Sequence, residues 1–127
     1  MLDVGSRSIF DQDHDIFRES VRNFMRDELV PVHEKMTENC MPTREIWQKF
    51  GENGYLGITI DAEKGGIGGT FKDDCIVMEE MAFVNCNGPN TIVHSTIVMP
   101  YIANYGTPEQ INRYMPDMVA GKCIGAI

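Results

Sequence analysis

The chain has 127 residues, enough for one domain that buries roughly two thirds of its unfolded surface. Its net charge of −8, from 19 acidic against 11 basic side chains, argues against a nucleic-acid binder, which needs clustered Lys and Arg, and against docking on an anionic membrane. No apolar run approaches the ~20 residues of a membrane span and nothing reads as a signal or transit peptide, so the acidic surface is read as a solvated one.

In chain order, Asp11 and Asp13 offer caps for a first helix. Its core stripe is Phe17, Val21, Phe24, Met25 and Leu29, and Arg18, Glu19, Arg22 and Asp27 form its wet face. Pro31 is expected to end or kink it, and the aperiodic stretch from His33 to Met41 reads as a connector. Pro42-Thr43 opens a second helix through Ile46, Trp47 and Phe50, which Asn53-Gly54 closes with left-handed chemistry. Tyr55 to Ile60 fits a short strand or an extended crossing packed on helices, the second being preferred. The loop Gly65-Gly66-Ile67-Gly68-Gly69 lacks the lysine of a phosphate-binding P-loop and the spacing of a dinucleotide fingerprint; it reads as a tight turn needing positive φ.

Thr70 to Asp73 resembles a capping box and starts a third helix through Cys75, Met78, Met81, Ala82 and Phe83. After the loop Asn85 to Pro89, a fourth helix spans Asn90 to Tyr105. It is apolar nearly all round, as a helix covered on every side would be, and Pro100 predicts a bend or bulge near Thr96. Thr107-Pro108-Glu109-Gln110 is a complete helix start, with cap, N1 proline and reach-back glutamine, and Gly121 closes that fifth helix. Then the pattern changes: Lys122 to Ile127 reads as the start of a strand. The fold class is therefore all-α, a bundle of about five to six helices with the start of a β-strand at the C-terminal end. The expected domain boundaries are 1–121 for the helical unit and 122–127 for the truncated beginning of a β domain.

Catalytic and metal constellations are missing from this text. Glu79 and Glu80 point about 100° apart on a helix, so they cannot face each other as an acid–base pair; a solvated pair is the simplest reading and an inter-helix or inter-domain anchor the alternative. His94 has Ile97 and Val98 where a metal site wants a second ligand, and reads as a satisfied core histidine. The four cysteines form no C-x-x-C and read as inert thiols of a reducing compartment. The nine methionines read mainly as core filling, with an apolar cavity wall as the second reading.

The ordered set His14 to Arg22, Glu28-Leu29-Val30-Pro31, Glu45-Ile46-Trp47, Gly54 to Ile58, Gly65 to Gly69, Glu79-Glu80-Met81-Ala82, Gly106 to Gln110 and Gly121 to Ala126 resembles the N-terminal helical domain of the acyl-CoA dehydrogenases, most of all their long-chain branch. The resemblance implies an enzyme of three domains that binds FAD and a fatty acyl-CoA between them and makes the trans-2-enoyl-CoA of β-oxidation. Its catalytic glutamate belongs to a C-terminal bundle, so this chain is expected to carry no catalytic residue and to be inactive alone. The resemblance further implies electron transfer to an electron-transferring flavoprotein, a homotetramer and the mitochondrial matrix. By the same resemblance Pro89, Asn90, Thr91, Ile92, Ser95 and Thr96 would line the acyl tail, and their compact side chains favour long chains; Ile127 would lie at the flavin. Two alternatives stand beside this reading: an independent helical module binding protein or lipid, and a peroxisomal acyl-CoA oxidase relative. The first requires the fourth helix to be fully covered.

Overall fold

The computed structural model describes residues 7–127; the first six residues of the expected helical unit lie outside the described residues. The elements are α1 (Gln12–Phe24), a π-helical segment Met25–Leu29, α2 (Val30–Glu38), α3 (Arg44–Glu52), a 3₁₀ turn Ala62–Lys64, α4 (Phe71–Phe83), a second π segment Ile92–Val98, α5 (Met99–Tyr105) and α6 (Pro108–Val119). Each π segment joins its neighbours without a break, so the α-helices amount to five rods, and the all-α expectation holds.

The two π segments solve the same problem. In each, the residue before a proline reaches back five positions: the Val30 N–H donates to the Met25 carbonyl, and the Met99 N–H donates to the His94 carbonyl. Pro31 and Pro100 lack an N–H, and their rings would crowd the preceding turn. One extra residue per turn moves the carbonyls aside and lets the helix continue. The bulge expected around Thr96 is therefore present. The connector expected from His33 to Met41 is instead mostly helix, because Pro31 is absorbed rather than obeyed. Chain end and bend are alternatives that a proline alone does not distinguish.

The larger core joins α1, α3 and α4: Val21, Phe24, Met25 and Leu29 pack with Trp47 and Phe50 and with Ile76, Val77 and Met81. Phe24 meets Phe50 and Tyr55 edge-on, with ring centroids 4.8 and 5.1 Å away. A smaller core joins Ile60 and α5 to α6 through Met99, Ala103, Met115 and Met118. Tyr55 to Ile60 is neither strand nor extended: a turn closed by the Ile60 N–H on the Gly57 carbonyl buries Tyr55, Leu56, Ile58 and Ile60. The glycine loop behaves as expected, since Gly65 and Gly68 take φ of +95° and +68°. Gly121 ends α6 at φ +68°, with its Cα set directly on the α3 backbone at Trp47.

Three expectations about exposure fail, one of them the solvated reading of Glu79 and Glu80, of which Glu80 is 3% exposed. Arg18, placed on the wet face of the first helix, is only 6% exposed, because α4 packs over it and supplies carboxylates. The rod from Thr91 to Tyr105 is covered on one side only: His94, Ser95, Met99 and Ala103 are buried, whereas Ile92, Tyr101 and Tyr105 are 40%, 65% and 82% exposed. Residues 124–127 form no strand; they follow the body of the domain with no ladder partner among the described residues, and a strand exists only by pairing.

Candidate functional site

Beside the second π segment lies a narrow crevice lined by Tyr55, Asp74, Val77, Met78, Thr91, Ile92, Ser95 and Thr96. Its walls are α4 and the π segment, its floor the Tyr55 turn. Four of the six residues expected at an acyl tail, Thr91, Ile92, Ser95 and Thr96, thus share one opening. The π geometry helps to place them there, because a wider turn alters which side chains lie above one another. Asn90 lines a different cleft, of ≈ 450 Å³, together with Met41, Arg44, Trp47, Val93, Ala126 and Ile127. Pro89 is buried and lines neither.

Ile127 is 90% exposed at the edge of that larger cleft. His94 fixes the approach to it. The imidazole is fully buried, stands edge-on to Trp47 at 5.4 Å, donates from Nε2 to the Met118 carbonyl at 3.1 Å and accepts the Gly125 N–H on Nδ1 at 2.9 Å. This pairing calls for the neutral ring protonated on Nε2, and burial lowers the histidine's pKa accordingly. His94 is the satisfied core histidine that its sequence context suggests, and it ties the end of α6 and residue 125 to the π segment.

At the other end of α4, Glu79 and Glu80 are not a solvated pair. The Glu80 carboxylate is nearly buried and accepts from Arg18 at 3.1 Å and from Arg22 at 2.9 and 3.0 Å. Glu79 accepts from Arg7 and from Arg18, the latter at 2.7 Å. Hydrogen bonds from Arg7, then Arg18, hold the Glu79 carboxyl down to about 2. Phe10 lies under the guanidinium groups of both Arg7 and Arg18, at 4.8 and 4.9 Å. This is an anchor between α1 and α4, with no room for a substrate between the charges.

Asp74 is the residue that inspection of the sequence passes over. An acid in the first turn of a helix reads as a favourable partner of the helix dipole. Here it is 4% exposed and faces the crevice, where burial raises its carboxyl to about 6, helped by Asp73 and opposed by a hydrogen bond with Thr59. Tyr55, Val77 and Met78 were likewise absent from the expected lining. Only the approach of α4 to the π segment brings them to the opening. All four cysteines are free, Cys40 being exposed and Cys86 buried.

A helical domain of five rods in this order is an architecture of the acyl-CoA dehydrogenase type. The chain belongs to that family: the sequence model of the acyl-CoA dehydrogenase N-terminal domain matches residues 11–122. The long-chain specific acyl-CoA dehydrogenase, mitochondrial, of Rattus norvegicus is 53% identical over the whole chain, which covers 30% of that protein. An acyl-CoA dehydrogenase from Geobacillus kaustophilus superposes with a TM-score of 0.87 at 32% identity, over 94% of this chain and 31% of that one. A glutaryl-CoA dehydrogenase from Mycobacterium smegmatis, solved with FADH2, gives 0.84 at 25% identity, over 96% and 31%. The chain thus spans about 30% of the length of the relatives it matches.

Proposed function

We propose that this chain is the acyl-chain wall of an FAD-dependent acyl-CoA dehydrogenase that oxidises long fatty acyl-CoA to the trans-2-enoyl-CoA. The observation that carries this reading is the gathering of Thr91, Ile92, Ser95 and Thr96 around one crevice between a π-bulged helix and α4. Small and β-branched side chains there, with Val77 and Met78 beside them, present a surface along which a flexible apolar tail can lie, the enclosed space itself being ≈ 10 Å³. The exposure of Ile92, Tyr101 and Tyr105 along the same rod favours this wall over an independent module, which needs that helix covered.

The fit to FAD is partial. The cleft at Ile127 offers apolar contact from Trp47, Ile124 and Ala126 and one cation in Arg44, while its Gly125 N–H is already committed to His94. Such a surface suits one edge of a flat aromatic ring and offers no cradle for a pyrophosphate. When bound, FAD supplies the two-electron acceptor for the desaturation. The chain's own part is to orient the tail and exclude water from it. The general base is proposed to be a glutamate of another domain, so the 127-residue chain alone should not turn over substrate. An electron-transferring flavoprotein as acceptor, a homotetramer and the mitochondrial matrix complete the proposal.

The test is chain-length selectivity of the full-length enzyme, assayed with an artificial electron acceptor. Filling the crevice with Thr96→Trp should lower kcat/KM for long acyl chains by about tenfold or more and spare short ones. An unaltered length profile in the folded variant would reject the wall assignment.

A further inference from the structure

Two buried oxygens in this crevice have no partner: Asp74 Oδ2 and Ser95 Oγ. Both side chains are more than nine-tenths buried, at 4% and 3% exposure, and both line the same small opening. An unpaired buried carboxylate oxygen and an unpaired buried hydroxyl are each costly, and the two side chains that carry them line one space. The free space there is ≈ 10 Å³, about what one water-sized group needs. Thr59 already attends to the carboxyl, and Asp73 adds only like charge. The oxygens of Asp74 and Ser95 therefore ask for a single group that donates one hydrogen bond and accepts another. An alcohol does both; a methyl group does neither.

We infer that Asp74 and Ser95 form a hydroxyl-recognising end stop in the acyl slot, so that the enzyme prefers a fatty acyl-CoA whose tail carries a hydroxyl over the plain chain of equal length. The ligand hydroxyl donates to Asp74 Oδ2 and accepts from Ser95 Oγ–H. A solvent water satisfies the same pair when a plain chain is bound, and a hydroxylated tail displaces it. The inference rests on the wall assignment above and adds a chemical preference to it. A site that hydrogen-bonds a substrate hydroxyl penalises the analogue lacking it, because its own groups are then left unpaired or must retain water.

The experiment compares kcat/KM for saturated acyl-CoA and ω-hydroxyacyl-CoA across a series of chain lengths, in the full-length enzyme. At one length the hydroxylated substrate should be favoured by about tenfold, and Asp74→Val should abolish that preference while improving use of the plain chain. Ser95→Ala should reduce the preference severalfold, and Asp74→Asn, whose amide oxygen still accepts, should keep most of it. The Ser95 and Asn variants keep the test open if the valine variant fails to fold. A ratio near unity at every length in the wild type, or one that Asp74→Val and Ser95→Ala leave in place, overturns the inference and reduces the site to a structural water. In that case the chain-length profile of Thr96→Trp with the plain chains still reports on the wall assignment by itself. No turnover of either series overturns both.

Discussion

The α4 helix carries three carboxylates that α1, the π segment or the Tyr55 turn cover, and it treats them in opposite ways. Glu79 and Glu80 meet three guanidinium groups, and the Glu79 pKa is pushed down to about 2. Asp74, at the other end of the same helix, meets no cation, and its pKa is pushed up to about 6. Residue type and helix are nearly constant in this comparison, so burial and the partner decide: burial without a cation raises Asp74, and guanidinium partners lower the more exposed Glu79. Paired charge fixes the register of α1 on α4; unpaired charge leaves a carboxylate facing a crevice of mixed lining. The first is architecture and the second is available for chemistry.

Breaking the paired end should give the largest effect. Arg18 is the shared partner of Glu79 and Glu80 and is itself buried. Arg18→Ala should destabilise the fold by about 3 kcal/mol, because Glu80 then keeps a buried carboxylate with only the half-exposed Arg22 to neutralise it. Urea unfolding at neutral pH checks this. Arg22→Ala, at the wetter edge, should lose clearly less.

Relieving the unpaired end should act in the other direction. Asp74 has a folded pKa above its ordinary 3.8, so between that value and about 6 the native state holds a proton the unfolded chain has released. Stability from this group is present below pH 3.8 and is lost as pH rises through about 6. The shift corresponds to at most roughly 3 kcal/mol at neutral pH. Asp74→Asn should therefore stabilise the protein by about 1–3 kcal/mol near neutrality and by almost nothing at pH below 3.8. A gain independent of pH would mean that burial of the charge is not the cause.

Much of this molecule was legible in its residues, and the misreadings share a cause. Caps and closures such as Thr43, Thr107 and Gly121 are local, and they fall where the local chemistry puts them. The bulge before Pro100 was legible for the same reason. Pro31 misled because a proline states that the regular ladder must yield, not whether the chain will yield by ending or by widening. Arg18 misled because a helix wheel assigns a charge to water by default, and only the approach of α4 turns its position into an interior one. The crevice was half legible: the π-segment residues were expected, but Asp74, Val77 and Met78 lie on a separate helix whose contact with that segment is a tertiary fact. The separation of Asn90 and Ile127 into a second cleft is equally tertiary.

The smallest expected effect sharpens the comparison most. Glu79 is about one-third exposed, so solvent screens its pairs with Arg7 and Arg18, and Glu79→Gln should destabilise by no more than about 1 kcal/mol at neutral pH. Its pH dependence is the informative part. With a folded pKa near 2 against an ordinary 4.5, Glu79 contributes stability that is present above pH 4.5 and is lost as pH falls toward 2. Its slope therefore opposes that of Asp74. The wild type should show stability rising with pH through the lower window and falling through the upper one, as far as these two groups govern it. Glu79→Gln should flatten the rise and leave the fall, while Asp74→Asn should flatten the fall and leave the rise. Guanidinium unfolding measured across pH in the two variants reads both slopes, and a variant that altered both windows would show the two ends of α4 to be coupled through the helix rather than set by their separate partners.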